Sequence, residues 1–101
     1  MFKFFFKQAR ERARLLAGQL AEWYPSDVER HAPDQVPAIR LTRYLEETAA
    51  RAVADRKELG LGWLGRAVYV NTVKWELKDA GYSDTFVDTV TEALVVHMMR
   101  A

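Results

Sequence analysis

The stretch Gly60-Leu61-Gly62-Trp63-Leu64-Gly65 has the G-x-G-x-x-G spacing with which a backbone comes close to a dinucleotide pyrophosphate. That chemistry needs a strand leading into the loop and a helix leaving it, so that the phosphates meet a helix N-terminus. Here the preceding pattern is helical, the residues between the glycines are Leu, Trp and Leu, and no strand-helix-strand unit fits around them. The glycines are therefore expected to form a helix-helix turn, with Gly60 ending one helix in a left-handed conformation and Gly62 or Gly65 starting the next. No nucleotide is expected there, and no other cofactor or small-molecule ligand is suggested elsewhere.

Asp84, Asp88 and Glu92 could supply oxygen ligands to a divalent metal, but a carboxylate cage in a helical bundle draws ligands from several helices, typically with Glu-x-x-His pairs. No such pair is present, so the three read as a solvated face, with Asp84 and Asp88 favoured by the start of a helix dipole. The chain has no cysteine, which excludes a disulfide framework, a thiolate zinc site and a cysteine nucleophile. The serines, Ser26 and Ser83, both fall at expected helix caps. Of the histidines, His31 falls in a loop and His97 on an apolar face. No nucleophile and base are paired at helical spacing, so the chain does not read as an enzyme.

The elements that carry these residues are read from periodicity. Phe2, Phe5, Phe6, Ala9, Ala13, Leu16, Leu20 and Trp23 share one face of a helix that Pro25 ends. Ser26-Asp27-Val28-Glu29 has capping-box spacing for a short helical turn before Pro33. Asp34 is the expected N-cap of a second helix from about Gln35 to Leu59, with Pro37 in its first turn. That helix buries Leu41, Leu45, Thr48, Ala49, Ala52 and Leu59, and turns Arg43, Glu47, Arg51 and Asp55 to water. Residues 66–80 mix strand-forming Val68, Tyr69, Val70, Thr72 and Val73 with a helical pattern. A lone strand would lack partners, so helix is expected, with an α+β fold the alternative if residues 67–77 are extended. Gly81 then ends the third helix, and Ser83 caps a fourth, with Tyr82 and Val87 placed as a hydrophobic staple. The expectation is an all-α, compact bundle of about four helices in a single domain over residues 1–101.

Within this frame Glu76 to Leu94, with Gly81 in the turn, Ala80 and Tyr82 beside it, the Ser83 cap, and Val87 and Val90 facing inward, resembles the helix-turn-helix segment of bacterial repressors. The resemblance covers about a fifth of the chain and implies a DNA-reading second helix. Two features run against it. Leu77 stands where those segments place alanine, and the reading helix would present Asp84, Asp88 and Glu92 to phosphates, with no cation until Arg100. Tight pairing of two helices is the preferred meaning, and a nucleic-acid partner is disfavoured.

The net charge of +1 is unevenly spread. Residues 1–14 hold Lys3, Lys7, Arg10, Arg12 and Arg14 against Glu11 alone, and the remainder is mildly acidic. Lys3, Lys7, Arg10 and Arg14 line one edge of the aromatic first helix, which suits contact with an anionic membrane surface or an acidic partner. A core helix with a solvated basic edge explains the same residues and is preferred. No signal peptide or run of ~20 apolar residues is evident, so a cytoplasmic protein is expected.

The apolar surplus is the most telling feature. The third helix carries Trp63, Ala67, Val70, Val73 and Leu77 on an expected core face and Leu64, Val68 and Trp75 on another, while the fourth turns Val95, Val96 and Met99 away from its core face. Exposed apolar patches with aromatic anchors mark association sites. The expected function is a small helical protein-protein interaction module, self-associating or binding a protein partner, through Leu64, Val68, Trp75, Val95, Val96 and Met99. The alternatives are nucleic-acid binding through the Gly81 turn and peripheral membrane binding through the basic first helix.

Overall fold

The computed structural model describes residues 6–100, and all of its regular structure is helical. We number the helices α1 (Lys7–Trp23), α2 (Ser26–His31), α3 (Ala38–Leu59), α4 (Trp63–Asp79) and α5 (Asp84–Arg100), with one turn of 3-10 helix at Pro33–Gln35 between α2 and α3. The four long helices form an all-α bundle in which α1 packs on α4, α4 on α5, α5 on α3 and α3 on α1. Residues 67–77 lie inside α4, so the α+β alternative does not arise.

The glycines do what backbone sterics ask of them. Gly60 sits at φ 63° and Gly81 at φ 99°, the left-handed region that side-chain-bearing residues avoid. Around Gly60 the Leu61 N–H donates to the Arg56 carbonyl (3.0 Å), and around Gly81 the Tyr82 N–H donates to the Leu77 carbonyl (3.2 Å). Both are the paired bonds of a Schellman stop, which satisfy carbonyls left over at a helix end. Gly62 is the extended N-cap of α4. Gly65 lies under Leu61, whose Cδ2 would stand only 3.0 Å from a Cβ there. The glycine-rich stretch is thus a helix-helix turn pressed against the helix it starts.

Three local expectations are corrected. Asp34 is not the N-cap of α3: it sits in the 3-10 turn, and the helix starts at Ala38 behind Pro37. The cause is Val36, which is extended at φ −114° and ψ 114° because a residue before proline is pushed out of the helical region. The Ser26–Glu29 capping box does not close either, since Ser26 is already helical and makes no cap bond. Glu29 instead reaches across the molecule, accepting from the Ser83 N–H (2.8 Å) and from Ser83 Oγ–H (2.8 Å). Ser83 Oγ in turn accepts from the Phe86 N–H (3.2 Å), so Ser83 caps α5 as its spacing predicts, with a second-hand carboxylate completing the cap. Arg30 adds a bond from Nη1 to the Gly81 carbonyl (3.1 Å), and short α2 becomes a clasp on the α4–α5 turn.

The third correction concerns Asp55, expected on the solvated face of α3. It lies at the inner edge, where Oδ2 accepts from the Tyr69 hydroxyl (2.6 Å) and Oδ1 from Arg12 Nη1 (2.8 Å). Arg12 also forks onto Glu58 at 2.9 and 3.0 Å. Tyr69 is 0% exposed, so its hydroxyl needs this acceptor. The rest of the row, Arg43, Glu47 and Arg51, is exposed as expected, with Glu47 and Arg51 paired at 3.7 Å.

The core is built from Ala13, Leu16, Ala17 and Leu20 of α1, Ala49 and Ala52 of α3, Tyr69, Val73 and Leu77 of α4, and Phe86, Val87, Val90, Leu94 and Met98 of α5. Small residues on α1 and α3 let those helices approach closely. Tyr24, Tyr82 and Phe86 close the end beside the clasp, with Phe86 ring centroids 5.4 Å from Tyr24 and 5.1 Å from Tyr82. The Tyr82 hydroxyl donates to the Tyr24 carbonyl. Tyr82 and Val87, the expected staple, are both in this core. Phe2 and Phe5, expected on the buried face of the first helix, lie outside the described residues.

These polar anchors carry three predictions. Replacing Asp55 by Ala strands a buried phenol and should cost about 2 kcal/mol in urea unfolding, whereas Tyr69→Phe, which removes donor and need together, should cost about 1 kcal/mol. Burial pushes the Tyr82 phenol up to about 12 and moves Tyr69, also bonded to Asp55, upward as well. The folded chain therefore keeps protons that the unfolded chain releases near pH 10. Stability should be full below that pH and fall above it, and the double variant Tyr69→Phe/Tyr82→Phe should flatten that alkaline decline. For the clasp, Ser83→Ala should cost about 1 kcal/mol and Glu29→Ala a similar amount, with the double variant costing clearly less than their sum because the two groups share one cap.

Candidate interaction site

A helix turns about 100° per residue, so fixing Tyr69 inward fixes every other direction on α4. The buried row is Gly65, Tyr69, Val73 and Leu77. Of the expected core stripe only Val73 and Leu77 belong to it. Trp63 is 74% exposed, Ala67 is exposed and Val70 is half-buried. The stripe failed because α4 is apolar on most of its sides, so periodicity alone does not choose the buried one.

The displaced residues face the same way as the outer side of α5. Trp63, Ala67 and Val70 on α4, with Val95, Val96 and Met99 on α5, line one open groove of about 1000 Å³. Its walls continue through Asn71 and Lys74 on α4 and Thr91 and Glu92 on α5. Arg66 and Met98 close its floor, and the Arg66 Nη1 donates to the Met98 carbonyl at 3.2 Å. That bond joins the first turn of α4 to the last turn of α5. The two helices therefore run antiparallel along their length, and Arg66 places a cation at the negative end of the α5 dipole. This is the geometry of an αα-hairpin. The helices of a DNA-reading pair cross steeply, at about 90–120°, and their far ends could not meet in this way.

The six residues singled out from the sequence fall on two surfaces. Val95, Val96 and Met99 line the groove, and Met99 is 73% exposed. Leu64, Val68 and Trp75 do not line it; they project from the side of α4 turned away from the core, with Trp75 53% exposed. Lys78 and Lys74 lie over the Trp75 ring at 5.4 and 6.0 Å, giving it a cationic cover from its own helix. Trp63, Ala67 and Val70 are the groove residues that periodicity assigned to the core. The signal that could have moved them outward was Gly65, whose missing side chain marks the row of α4 that takes close contact.

The other candidates are placed as follows. Asp84, Asp88 and Glu92 stay exposed along α5, Asp84 within 3.9 Å of Lys78. Among the described residues no group of three or more His, Asp or Glu side chains converges as a metal site. His31 and His97 are exposed, and His97 Nδ1 lies 2.7 Å from the Ala93 carbonyl of its own helix. Ser83 is taken up by its cap. On α1, Arg14 approaches Glu76 at 3.4 Å and Lys7 is exposed, so Arg14 is turned toward its own bundle. Arg10 is half-buried, and Lys3 lies outside the described residues. No described helix is long and apolar enough to cross a membrane.

With Trp23 and Trp75 replaced by Phe, emission from Trp63 alone should lie at the red wavelengths of a hydrated indole and shift blue when anything covers the groove. A blue-shifted maximum in dilute protein would contradict the exposure of Trp63. No protein-family model, curated protein or solved structure matches this chain.

Proposed function

We propose that this chain is a small helical protein-interaction module whose α4–α5 groove receives an apolar surface of another protein chain. The observation that carries the reading is the concentration of exposed apolar side chains in one concave place, with Trp63 and Met99 both about three-quarters exposed at the same end. Isolated apolar residues on a surface need no explanation, and Leu15 and Ile39 are of that kind. A contiguous groove with an indole at one end and charged residues at the other has the anatomy of an interface, an apolar centre with a polar rim. A groove between two helices also suits an incoming helix, which would lie in it as a third or fourth member of the layer. The face bearing Leu64, Val68 and Trp75 is the weaker candidate, because it is convex and its indole already carries two lysines.

Photo-crosslinking from position 96 tests this, with position 75 as the comparison. Val96→p-benzoylphenylalanine, expressed in cells and also examined as concentrated purified protein, should yield a protein adduct, and the same probe at Trp75 should yield much less. Absence of an adduct from position 96 in both settings would remove the proposal. Val96→Asp should leave the helical circular dichroism unchanged while abolishing the adduct formed from a probe at position 99.

A further inference from the structure

Granting the groove as a docking face, we infer that its occupant is a second copy of this chain, paired about a two-fold axis that runs along the groove. The argument is the distribution of charge on the walls. The α4 wall carries Lys74, whose ammonium also lies 6.0 Å from the centre of the Trp75 ring, and the α5 wall carries Glu92; neither has an ion-pair partner among the described residues. Arg66 bonds to the carbonyl of Met98, which sets the antiparallel register of the hairpin. Counting the same distance from that bond along each helix brings Lys74 level with Val90 and Thr91, within a turn of Glu92. Trp63 and Met99 lie within a turn of each other at the far end.

A symmetric face-to-face pair can be made with its axis along the helices or across them. An axis along the helices keeps every level in place and exchanges the walls, so that α4 of one copy lies over α5 of the other. Lys74 then meets the partner's Glu92, Trp63 meets the partner's Met99, and both contacts occur twice. An axis across the helices lays α4 over the partner's α4 and carries the Lys74 end onto the Trp63 end, so the charges find no mates. The groove is complementary to itself in one of the two arrangements. The chain's net charge of +1 leaves little long-range repulsion between copies. Charges at a rim contribute mostly register and partner choice rather than affinity, with the apolar centre supplying the rest.

The test is sedimentation over a concentration series, with charge reversals. The native chain should dimerise reversibly, with the Trp63 emission of the Trp23→Phe/Trp75→Phe variant shifting blue as dimer forms. Lys74→Glu and Glu92→Lys should each weaken the dimer about tenfold, because each reversal places two like-charge pairs in one interface, and the double variant should recover most of that loss. Mixing the two single variants should restore pairing, since position 74 of each chain then faces an opposite charge at position 92 of the other and both contacts in the mixed dimer are attractive. Val96→Asp should be monomeric and still helical, and Trp75→Asp should dimerise like the native chain. A chain that remains monomeric at every concentration, while position 96 still crosslinks to a different protein in cells, sinks the second-copy inference and leaves the docking reading standing. Monomer with no adduct sinks both. A dimer that survives Val96→Asp, or whose two reversals do not compensate, overturns the arrangement.

Discussion

The phenol of Tyr69 is the constraint around which the bundle is arranged. A tyrosine with no exposed surface must find an acceptor inside the protein, because leaving its hydroxyl unpaired costs more than most single contacts return. Asp55 is that acceptor, and Arg12 holds Asp55 in place from α1. Three helices are fixed relative to one another by two hydrogen bonds. The rotation of α4 about its own axis is one of the quantities so fixed, and the groove exists because that rotation leaves Trp63, Ala67 and Val70 looking outward.

A second polar anchor secures the other end. Glu29, Arg30 and the Ser83 cap tie α2 to the turn between α4 and α5, where Tyr24, Tyr82 and Phe86 stack. The two anchors differ in exposure and so in kind. The Tyr69 bond is shielded and stabilises by avoiding a penalty, whereas the clasp lies nearer water and acts by satisfying helix-end amides that would otherwise face only solvent. Between them the interior is apolar and small-grained, with Ala9, Ala13, Ala17, Ala49 and Ala52 keeping α1 and α3 close to their neighbours.

What could be read from the sequence divides along the same line. Gly60, Gly81 and Ser83 were legible because the rules that place them act within five or six residues, through backbone sterics and caps. Ala9, Ala13, Leu16 and Leu20 of α1 and Val87 and Val90 of α5 were legible from periodicity, whereas His97, placed on the apolar face of α5, is exposed and Met98 takes the buried position. The start of α3 was not legible, although Val36-Pro37 carried the signal, since Asp34 offered a competing and locally reasonable cap. The orientation of α4 was the real failure. Its apolar residues ring the helix, and the deciding contact lies 14 positions back, on another helix, in a side chain that looked like part of a solvated row. Val95, Val96 and Met99 were legible as outward-facing apolar residues, whereas Trp63, Ala67 and Val70 on the α4 side of the groove were assigned to the core.

The clasp also ties the length of the chain to its fold. Glu29 and Ser83 are 54 positions apart, and the path between them runs through the whole of α3 and α4. One residue added within α3 would advance everything beyond it by about 100° and 1.5 Å. Asp55 or the Ser83 cap could then keep its mate, but both could not. The spacing between these polar groups is therefore a ruler, and the number of residues in α3 is as much a part of the design as their identities.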